Sequence, residues 1–149
     1  MGSQSDYPIM KDAEKILKTL KINFEVLTVS AHRTPKRMFE FAENAAKKGF
    51  AVIIAGAGGA AHLPGMVSSL ATVPVIGVPI ESKKLKGLDS LLSIVQMPRG
   101  CPTATMAING SFNAGLYAAS IIGTFDTKVR SNLEKWKRVQ TQSIKKKPK

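Results

Sequence analysis

Residues 55–66 read Ala-Gly-Ala-Gly-Gly-Ala-Ala-His-Leu-Pro-Gly-Met and follow an apolar run, Phe50–Ile54, that is typical of a buried strand. Glycines at this density allow positive φ angles and let the backbone approach a ligand closely. A strand, a small-residue loop and a helix in succession direct backbone N–H groups at one point, which suits a phosphate or a carboxylate. The stretch therefore predicts a strand–loop–helix unit whose loop binds an anion. The alternative is a tight crossover that needs small residues only for packing, and His62 counts against it.

The composition bounds the class of protein. The chain has 149 residues, of which 44% are hydrophobic, which is enough for one domain with a single core. Its one cysteine, Cys101, excludes an internal disulfide and predicts a reducing, cytoplasmic location. The sequence shows no signal-peptide pattern and no apolar stretch of about 18 residues, so we expect no membrane association.

The formal net charge of +12 is concentrated at one end of the sequence. Residues 126–149 contain nine basic and two acidic side chains and end in the run Lys145–Lys149. Residues 1–125 contain thirteen basic and eight acidic side chains. This distribution is typical of a solvated basic tail, so nucleic acid is not expected as a partner.

Helical patterns alternate with short apolar runs along the chain, which predicts a parallel sheet covered by helices on both faces. The expected elements, in order, are a helix with apolar positions from Ile9 to Leu20, a strand at Phe24–Val29, a helix from Pro35, a strand at Phe50–Ile54, a helix to about Leu70, a strand at Val73–Val78, a short helix at Leu85–Leu92, a short strand at Ser93–Met97, a long apolar helix at Thr103–Ile122, and a final helix at Asp126–Ile144 anchored by Trp136.

The segment Gly2-Ser3-Gln4-Ser5-Asp6 places hydroxyls and a carboxylate at the start of the first helix. These side chains could bind a ligand or could simply cap the helix. Ligand-binding loops of open α/β sheets follow strands, yet no strand precedes this one. Either the sheet lacks a strand or residues upstream of Met1 are missing from the sequence, and we favour the second.

Right-handed crossovers would gather three loops, residues 2–6, 30–35 and 55–63, along one edge of the sheet. Arg33, serine hydroxyls and helix N-termini together suit a phosphate, and Asp6 could accept hydrogen bonds from ribose hydroxyls. His32 and His62 are the candidate acid–base groups, because imidazole titrates near neutral pH. Taken singly, each histidine could equally be structural.

Other chemistries fit the sequence poorly. Two histidines and one cysteine, without a carboxylate cluster, do not supply the ligands of a zinc site. No Gly-Lys-Ser/Thr follows the glycine loop, which excludes a P-loop. Residues 56–61 fit the loose dinucleotide fingerprint, but the acidic residue at the appropriate distance, Glu81, lies beyond Pro79 in a lysine-rich loop. Cys101 has no base near it in sequence and is expected to be inert.

Four motifs, in order, resemble those of 5-(carboxyamino)imidazole ribonucleotide mutase, a purine-biosynthesis enzyme often labelled as the catalytic subunit of phosphoribosylaminoimidazole carboxylase. They are Gly2–Asp6, Ser30–Pro35, Ala55–Met66 and the run LDSLLSIVQMP at Leu88–Pro98. The resemblance covers residues 2 to about 120. A related branch carboxylates the aminoimidazole ribonucleotide directly with carbon dioxide, and its glycine loop lacks the run that stands complete here at Ala60–Gly65. The mutase branch is therefore favoured.

The resemblance implies a flavodoxin-like three-layer α/β/α sandwich and a homo-octamer with sites near subunit boundaries. It implies transfer of a carboxylate from the exocyclic nitrogen of an aminoimidazole ribonucleotide to ring carbon 4, without ATP, biotin or metal. The implied general acid–base is His32, and His62 is the second catalytic residue. The implied substrate-binding residues are Ser3, Ser5, Asp6, Ser30, Ala31, Arg33, Gly56, Ala57, Gly58 and Leu63.

The resemblance also sets expectations for the ends of the chain. The family places a central strand before its Gly-Ser-x-Ser-Asp motif, so we expect a chain that starts at Met1 not to fold. Residues 1–125 are predicted to form a single α/β catalytic domain, and residues 126–149 a C-terminal helix and a basic tail without a chemical role. Two alternatives stay open: the direct carboxylase on the same fold, and a noncatalytic module that binds polyanions through its basic residues.

Overall fold

The computed structural model describes residues 1–147 and contains one parallel sheet with helices on both faces. A short 3₁₀ helix, Gln4–Asp6, leads into the first α-helix. The elements are α1 (Tyr7–Thr19), α2 (Pro35–Asn44), β1 (Ile53–Gly58), α3 (Leu63–Leu70), β2 (Val75–Ile80), α4 (Leu88–Val95), β3 (Ala104–Thr105), α5 (Ser111–Ile122) and α6 (Thr127–Ser143). Within residues 1–147, no helix has both the length and the apolar character needed to cross a membrane.

The sheet has the strand order β1–β2–β3, and both strand pairs are parallel. β1 and β2 pair along their whole length, from Ile53 with Val75 to Gly58 with Ile80. Every residue of β2 is buried, as expected for a strand that is covered on both faces. The carboxyl ends of β1 and β2 therefore lie side by side and open onto the same edge of the sheet.

Alternating side chains divide the core into two faces. α2, α3 and α4 cover one face of the sheet, with buried residues that include Met38, Val67 and Ile94. α1 and α5 cover the other face and pack against Ile76 and Val78 of β2. α6 forms an outer layer on α1 and α5, where Val129 and Leu133 pack against Ile16, Leu20 and Ala119. The predicted three-layer α/β/α arrangement is present.

The predicted strand at Phe24–Val29 is wrong, because this segment has no regular strand structure. Its bonds to other backbone groups are to Met1, whose amino group donates to the Leu27 carbonyl at 3.0 Å and whose carbonyl accepts from the Val29 N–H at 2.8 Å. A cavity of about 400 Å³, lined both by this segment and by β1, lies beside it. A strand needs a continuous hydrogen-bonded neighbour, so the apolar pattern alone does not produce one here.

The boundaries of several further elements differ from those predicted, including β2, which is Val75–Ile80 where Val73–Val78 was expected. β1 begins at Ile53 and continues to Gly58, so half of the expected glycine loop is strand. Lys86 and Gly87 have φ angles of 51° and 88°, which a helix cannot accommodate, and α4 accordingly begins at Leu88. α4 then continues to Val95 and replaces the short strand predicted at Ser93–Met97.

The long helix predicted at Thr103–Ile122 is also wrong in its first part. Ala104–Thr105 forms β3, and the following N–H groups of Met106 and Asn109 donate to the β2 carbonyls of Gly77 and Pro79. Asn109 has a φ of 60°, and α5 begins only at Ser111. These backbone bonds to a distant strand outweigh the apolar helical pattern, which is local.

Candidate active site

A cleft of about 600 Å³ opens at the carboxyl ends of β1 and β2. It contains both histidines and all but two of the predicted substrate-binding residues, Gly56 and Ala57. Its lining residues are Gly2, Ser3, Ser5, Asp6, Ser30, Ala31, His32, Arg33, Gly58, Gly59, Ala60, His62, Leu63, Ile80, Glu81, Ser82 and Lys83. The three loops that were predicted to meet at one edge of the sheet therefore meet there.

The first loop is held in place by a capping box around the 3₁₀ helix. The Ser3 hydroxyl accepts from the Ser5 N–H at 3.3 Å, and the Asp6 carboxylate accepts from the Ser3 N–H at 2.9 Å. The Gly2 N–H donates to the Gly56 carbonyl of β1 at 3.0 Å. The capping interpretation is confirmed for Ser3 and Asp6; Ser3, Ser5 and Asp6 also line the cleft, and ligand binding by them stays a prediction.

Asp6 is a buried carboxylate, with only 7% of its surface exposed. Burial raises its pKa above the ordinary value, and the Ser3 N–H and nearby positive groups, including the Arg33 guanidinium, partly oppose this effect. A carboxylate in this position is costly for the fold. It is also available as a hydrogen-bond acceptor for hydroxyl groups in the cleft.

The second loop is closed by Thr34 and brings Arg33 to the first loop. Ser30 N–H donates to the Thr34 hydroxyl at 2.9 Å, so Thr34 closes the loop instead of capping α2. The Arg33 N–H donates to the Ser30 hydroxyl at 3.2 Å, and its guanidinium Nη2 donates to the Gly2 carbonyl at 3.2 Å. The guanidinium therefore lies where the two hydroxyl-bearing loops join, as a phosphate site requires.

The third loop places His62 against His32. The Nε2 atom of His32 lies 2.8 Å from the Nδ1 atom of His62, and the rings meet edge to face at a centroid distance of 4.9 Å. At this distance one nitrogen donates a proton and the other accepts it. The two imidazoles therefore share a hydrogen bond within the cleft, which gives a proton a path between them.

Gly56 and Ala57 lie in β1 and do not line the cleft. Ala57 belongs to the buried core. The Gly56 carbonyl accepts a hydrogen bond from the Gly2 N–H, and Gly56 packs against Met10. The residue that follows the strand, Gly59, has a φ of 67° in the left-handed region and begins the turn toward His62. The two strand residues support the loop, and the contact surface starts at Gly58.

The fourth wall of the cleft, Ile80–Lys83, was not predicted from the sequence. Glu81 is fixed by Asn109, whose side-chain oxygen accepts from the Glu81 N–H at 2.9 Å and whose amide donates to the Glu81 carboxylate at 3.2 Å. This segment follows β2 directly, so the rule that ligands bind beyond strand ends would have found it. Lys83 adds a second positive charge to a cleft that already contains Arg33.

Among residues 1–147, no group of three or more histidine, cysteine or acidic side chains is arranged to hold a metal ion. The side chains that can act in the cleft are therefore two imidazoles, two cations, two carboxylates and several hydroxyls. Together with backbone groups at strand ends, this set is suited to binding a phosphorylated polar molecule and moving a proton on it.

Comparisons with known proteins show the family of the chain. A family model described as AIR carboxylase matches residues 1–143. The N5-carboxyaminoimidazole ribonucleotide mutase of Thermotoga maritima is 58% identical over 137 residues, covering 92% of this chain and 80% of that protein. The mutase of Escherichia coli is 51% identical over 146 residues, covering 97% and 86%.

A solved structure gives the same result for the fold. The crystal structure of Treponema denticola PurE matches with a TM-score of 0.85 and 25% sequence identity, covering 97% of this chain and 90% of that one. This likeness confirms the predicted flavodoxin-like α/β fold. From the family model and the mutase relatives together, the chain belongs to the AIR carboxylase family.

Proposed function

We propose that the chain is an isomerase of purine biosynthesis that converts 5-(carboxyamino)imidazole ribonucleotide to 4-carboxy-5-aminoimidazole ribonucleotide. The observation that carries this proposal is the hydrogen-bonded pair of His32 and His62 in the same cleft as Arg33. One end of the cleft is suited to a phosphate and the other to proton transfer. The relatives from Thermotoga maritima and Escherichia coli, which match 92% and 97% of the chain, are named N5-carboxyaminoimidazole ribonucleotide mutases.

The cleft supports a reaction in two steps. In the first, the bond between the exocyclic nitrogen and the carboxylate breaks, carbon dioxide leaves and the nitrogen takes a proton. In the second, ring carbon 4 attacks the carbon dioxide and then gives up its own proton. His32 is the general acid in the first step and the base in the second, so the enzyme ends with the proton it began with. A cleft that keeps carbon dioxide next to the ring favours its recapture over its escape.

The three loops suggest how the substrate lies. We assign the phosphate to Ser3, Ser5, Ser30 and Arg33, and the ribose hydroxyls to Asp6. The carboxylate is assigned to the end formed by Gly58, His62 and Leu63, with Ala31 beside it, and Gly56 and Ala57 act behind them by supporting the loop. All of these residues precede residue 84, which agrees with the expectation that residues 1–125 carry the chemistry.

A homo-octamer and a cytoplasmic location belong to the same proposal. Leu88, Leu92 and Val95 form an apolar stripe on α4 and are 44–51% exposed, which favours burial against another subunit. α4 begins directly behind the cleft, so an interface there would lie close to the site. The single cysteine agrees with a reducing compartment.

The test is an isomerisation assay with the carboxyamino ribonucleotide as substrate. We expect turnover that does not depend on added bicarbonate, and little product from aminoimidazole ribonucleotide plus bicarbonate. The opposite pattern would identify a direct carboxylase. Salt-sensitive binding of a polyanion, lost on removal of residues 145–149 and accompanied by no turnover, would support the basic module instead. Pro148 and Lys149 of this tail lie outside the described residues.

A further inference from the structure

Ser90 is a fully buried hydroxyl that joins the ends of two strands. It is the third residue of α4, and none of its surface is exposed. Its Oγ donates to the Ile80 carbonyl at 2.6 Å and accepts from the Gly59 N–H at 2.8 Å. Gly58 and Ile80 form the last pair of the β1–β2 ladder, so the hydroxyl bridges the two strands just beyond that pair.

The neighbouring Asp89 holds the opposite wall of the cleft. Its carboxylate accepts from the Ser82 hydroxyl at 2.7 Å and from the Ser90 N–H at 3.0 Å. The Ser82 hydroxyl also accepts from the Gly87 N–H at 3.2 Å. The first turn of α4 is therefore bonded to both segments that leave the strands, the Gly59 turn and the Glu81–Lys83 wall.

We propose that Ser90 is a positioning residue for the reaction, because it fixes the turn that carries His62 to His32. The inference rests on the proposed function and adds a residue that lies outside the cleft. Gly59 has a φ of 67°, and no atom lies within 4 Å of the position that a Cβ would take. Packing on that side does not hold the peptide, so its hydrogen bonds to α4 restrain it. Its N–H donates to the Ser90 hydroxyl at 2.8 Å, and its carbonyl accepts from the Ser93 hydroxyl at the longer distance of 3.5 Å.

Loss of the hydroxyl would leave the Gly59 N–H and the Ile80 carbonyl without this partner. The turn from Gly59 to His62 would then sample other conformations, while the phosphate site, built by Ser3, Ser30 and Arg33, would stay intact. A small displacement of a catalytic group lowers the rate far more than it lowers binding. The effect should therefore fall on kcat and leave KM nearly unchanged.

The experiment compares Ser90→Ala with Ser111→Ala at a temperature at which circular dichroism shows both to be folded. Ser111 is a matched control, since it is also fully buried near a helix start and its Oγ donates to the Ile9 carbonyl at 2.5 Å. We expect Ser90→Ala to lower kcat by about 10–100-fold with KM within about threefold. Hydrogen exchange in the segment 59–61 should be faster in Ser90→Ala and unchanged in Ser111→Ala.

Wild-type kcat and exchange in Ser90→Ala would overturn the inference. So would an equal loss of kcat in Ser111→Ala, since the effect would then come from stability alone. If the wild-type protein does not isomerise the ribonucleotide, the proposed function fails by itself. The exchange of segment 59–61 then decides whether Ser90 fixes the turn.

Discussion

Nε2 of His32 and Nδ1 of His62 are 2.8 Å apart, although 30 residues separate the two side chains in sequence. His32 lies on the loop before α2, and His62 immediately precedes the first residue of α3. Their contact joins the loop before α2 to the connection between β1 and α3. Either ring can pass a proton to the other without a large movement.

Replacement of His32 should remove catalysis and spare binding. We expect His32→Asn to lower kcat by at least about 100-fold, because asparagine cannot accept and return a proton. The dissociation constant of the substrate should stay within about threefold, since the phosphate contacts are on other residues. Steady-state kinetics measure kcat, and isothermal titration calorimetry measures the dissociation constant. Near-normal turnover would assign the proton transfer to another group.

Arg33 and Arg37 form a matched pair for testing the phosphate site. The Arg33 guanidinium donates to the Gly2 carbonyl inside the cleft, whereas that of Arg37, one turn later, donates to the Thr28 carbonyl and does not line the cleft. We expect Arg33→Met to raise KM by about 10–100-fold, the value of a lost charged hydrogen bond. Arg37→Met should change KM by less than about twofold. An equal change of KM in the two variants would show that Arg33 does not bind the phosphate.

We expect the Asp6 carboxylate to lower the stability of the fold at neutral pH while it contributes to substrate binding. Its folded pKa lies above 3.8, so the folded state holds the proton more tightly than the unfolded chain. The contribution of Asp6 to the free energy of unfolding is therefore most favourable below pH 3.8, and it decreases as the pH rises through the raised pKa of Asp6. At pH 7 we expect Asp6→Asn to raise Tm by about 2–4 °C, the shift that about 1 kcal/mol produces in a chain of this size.

The rise in Tm of Asp6→Asn should disappear below pH 3.8, where the aspartate of the wild-type protein is neutral like the asparagine of the variant. Asp12→Asn is the control, because Asp12 is 45% exposed and pairs only at the surface with Lys15. Its Tm should change little at either pH. Thermal scans across pH 3–8 measure both variants, and an Asp6→Asn variant less stable than wild type at pH 7 would contradict the argument. The KM of Asp6→Asn should rise, since the neutral amide oxygen of asparagine is a weaker acceptor for the ribose hydroxyls than a carboxylate.

Local signals in the sequence predicted the starts of two helices correctly. Pro35 begins α2 and Asp126 caps α6, where its carboxylate accepts from the N–H groups of Lys128 and Val129 at 2.8 and 3.0 Å. Such signals act through neighbouring residues, so they survive any tertiary context. The strand-end rule placed the His62 loop correctly after β1, whereas the His32 loop lies at the cleft although the strand predicted before it is absent.

Features that depend on distant partners could not be predicted. β3 forms because Ala104 and Thr105 pair with Ile76 and Gly77 of β2, and the segment 24–29 lacks a ladder partner despite an apolar pattern. Ser90 is a further case. In the sequence it is one polar residue in an apolar helix, and only the fold shows that its hydroxyl meets the end of β1.

The attachment of α6 gives a last prediction, because Leu133 and not the predicted Trp136 is its most buried large side chain. Leu133 is 7% exposed against α1 and α5, whereas Trp136 is half-buried beside Phe112 at a ring distance of 5.9 Å. We expect Leu133→Ala to cost about 2–5 kcal/mol and to lower Tm by about 4–15 °C. Val139→Ala, at a 66% exposed position of the same helix, should leave Tm within about 2 °C. Both variants should keep wild-type kcat and KM at 25 °C, since every residue of the cleft precedes residue 84.

Two results for Leu133→Ala would contradict this argument. A protein that melts like wild type would show that α6 does not contribute to the core. A protein that is folded but inactive would extend the catalytic domain beyond residue 125.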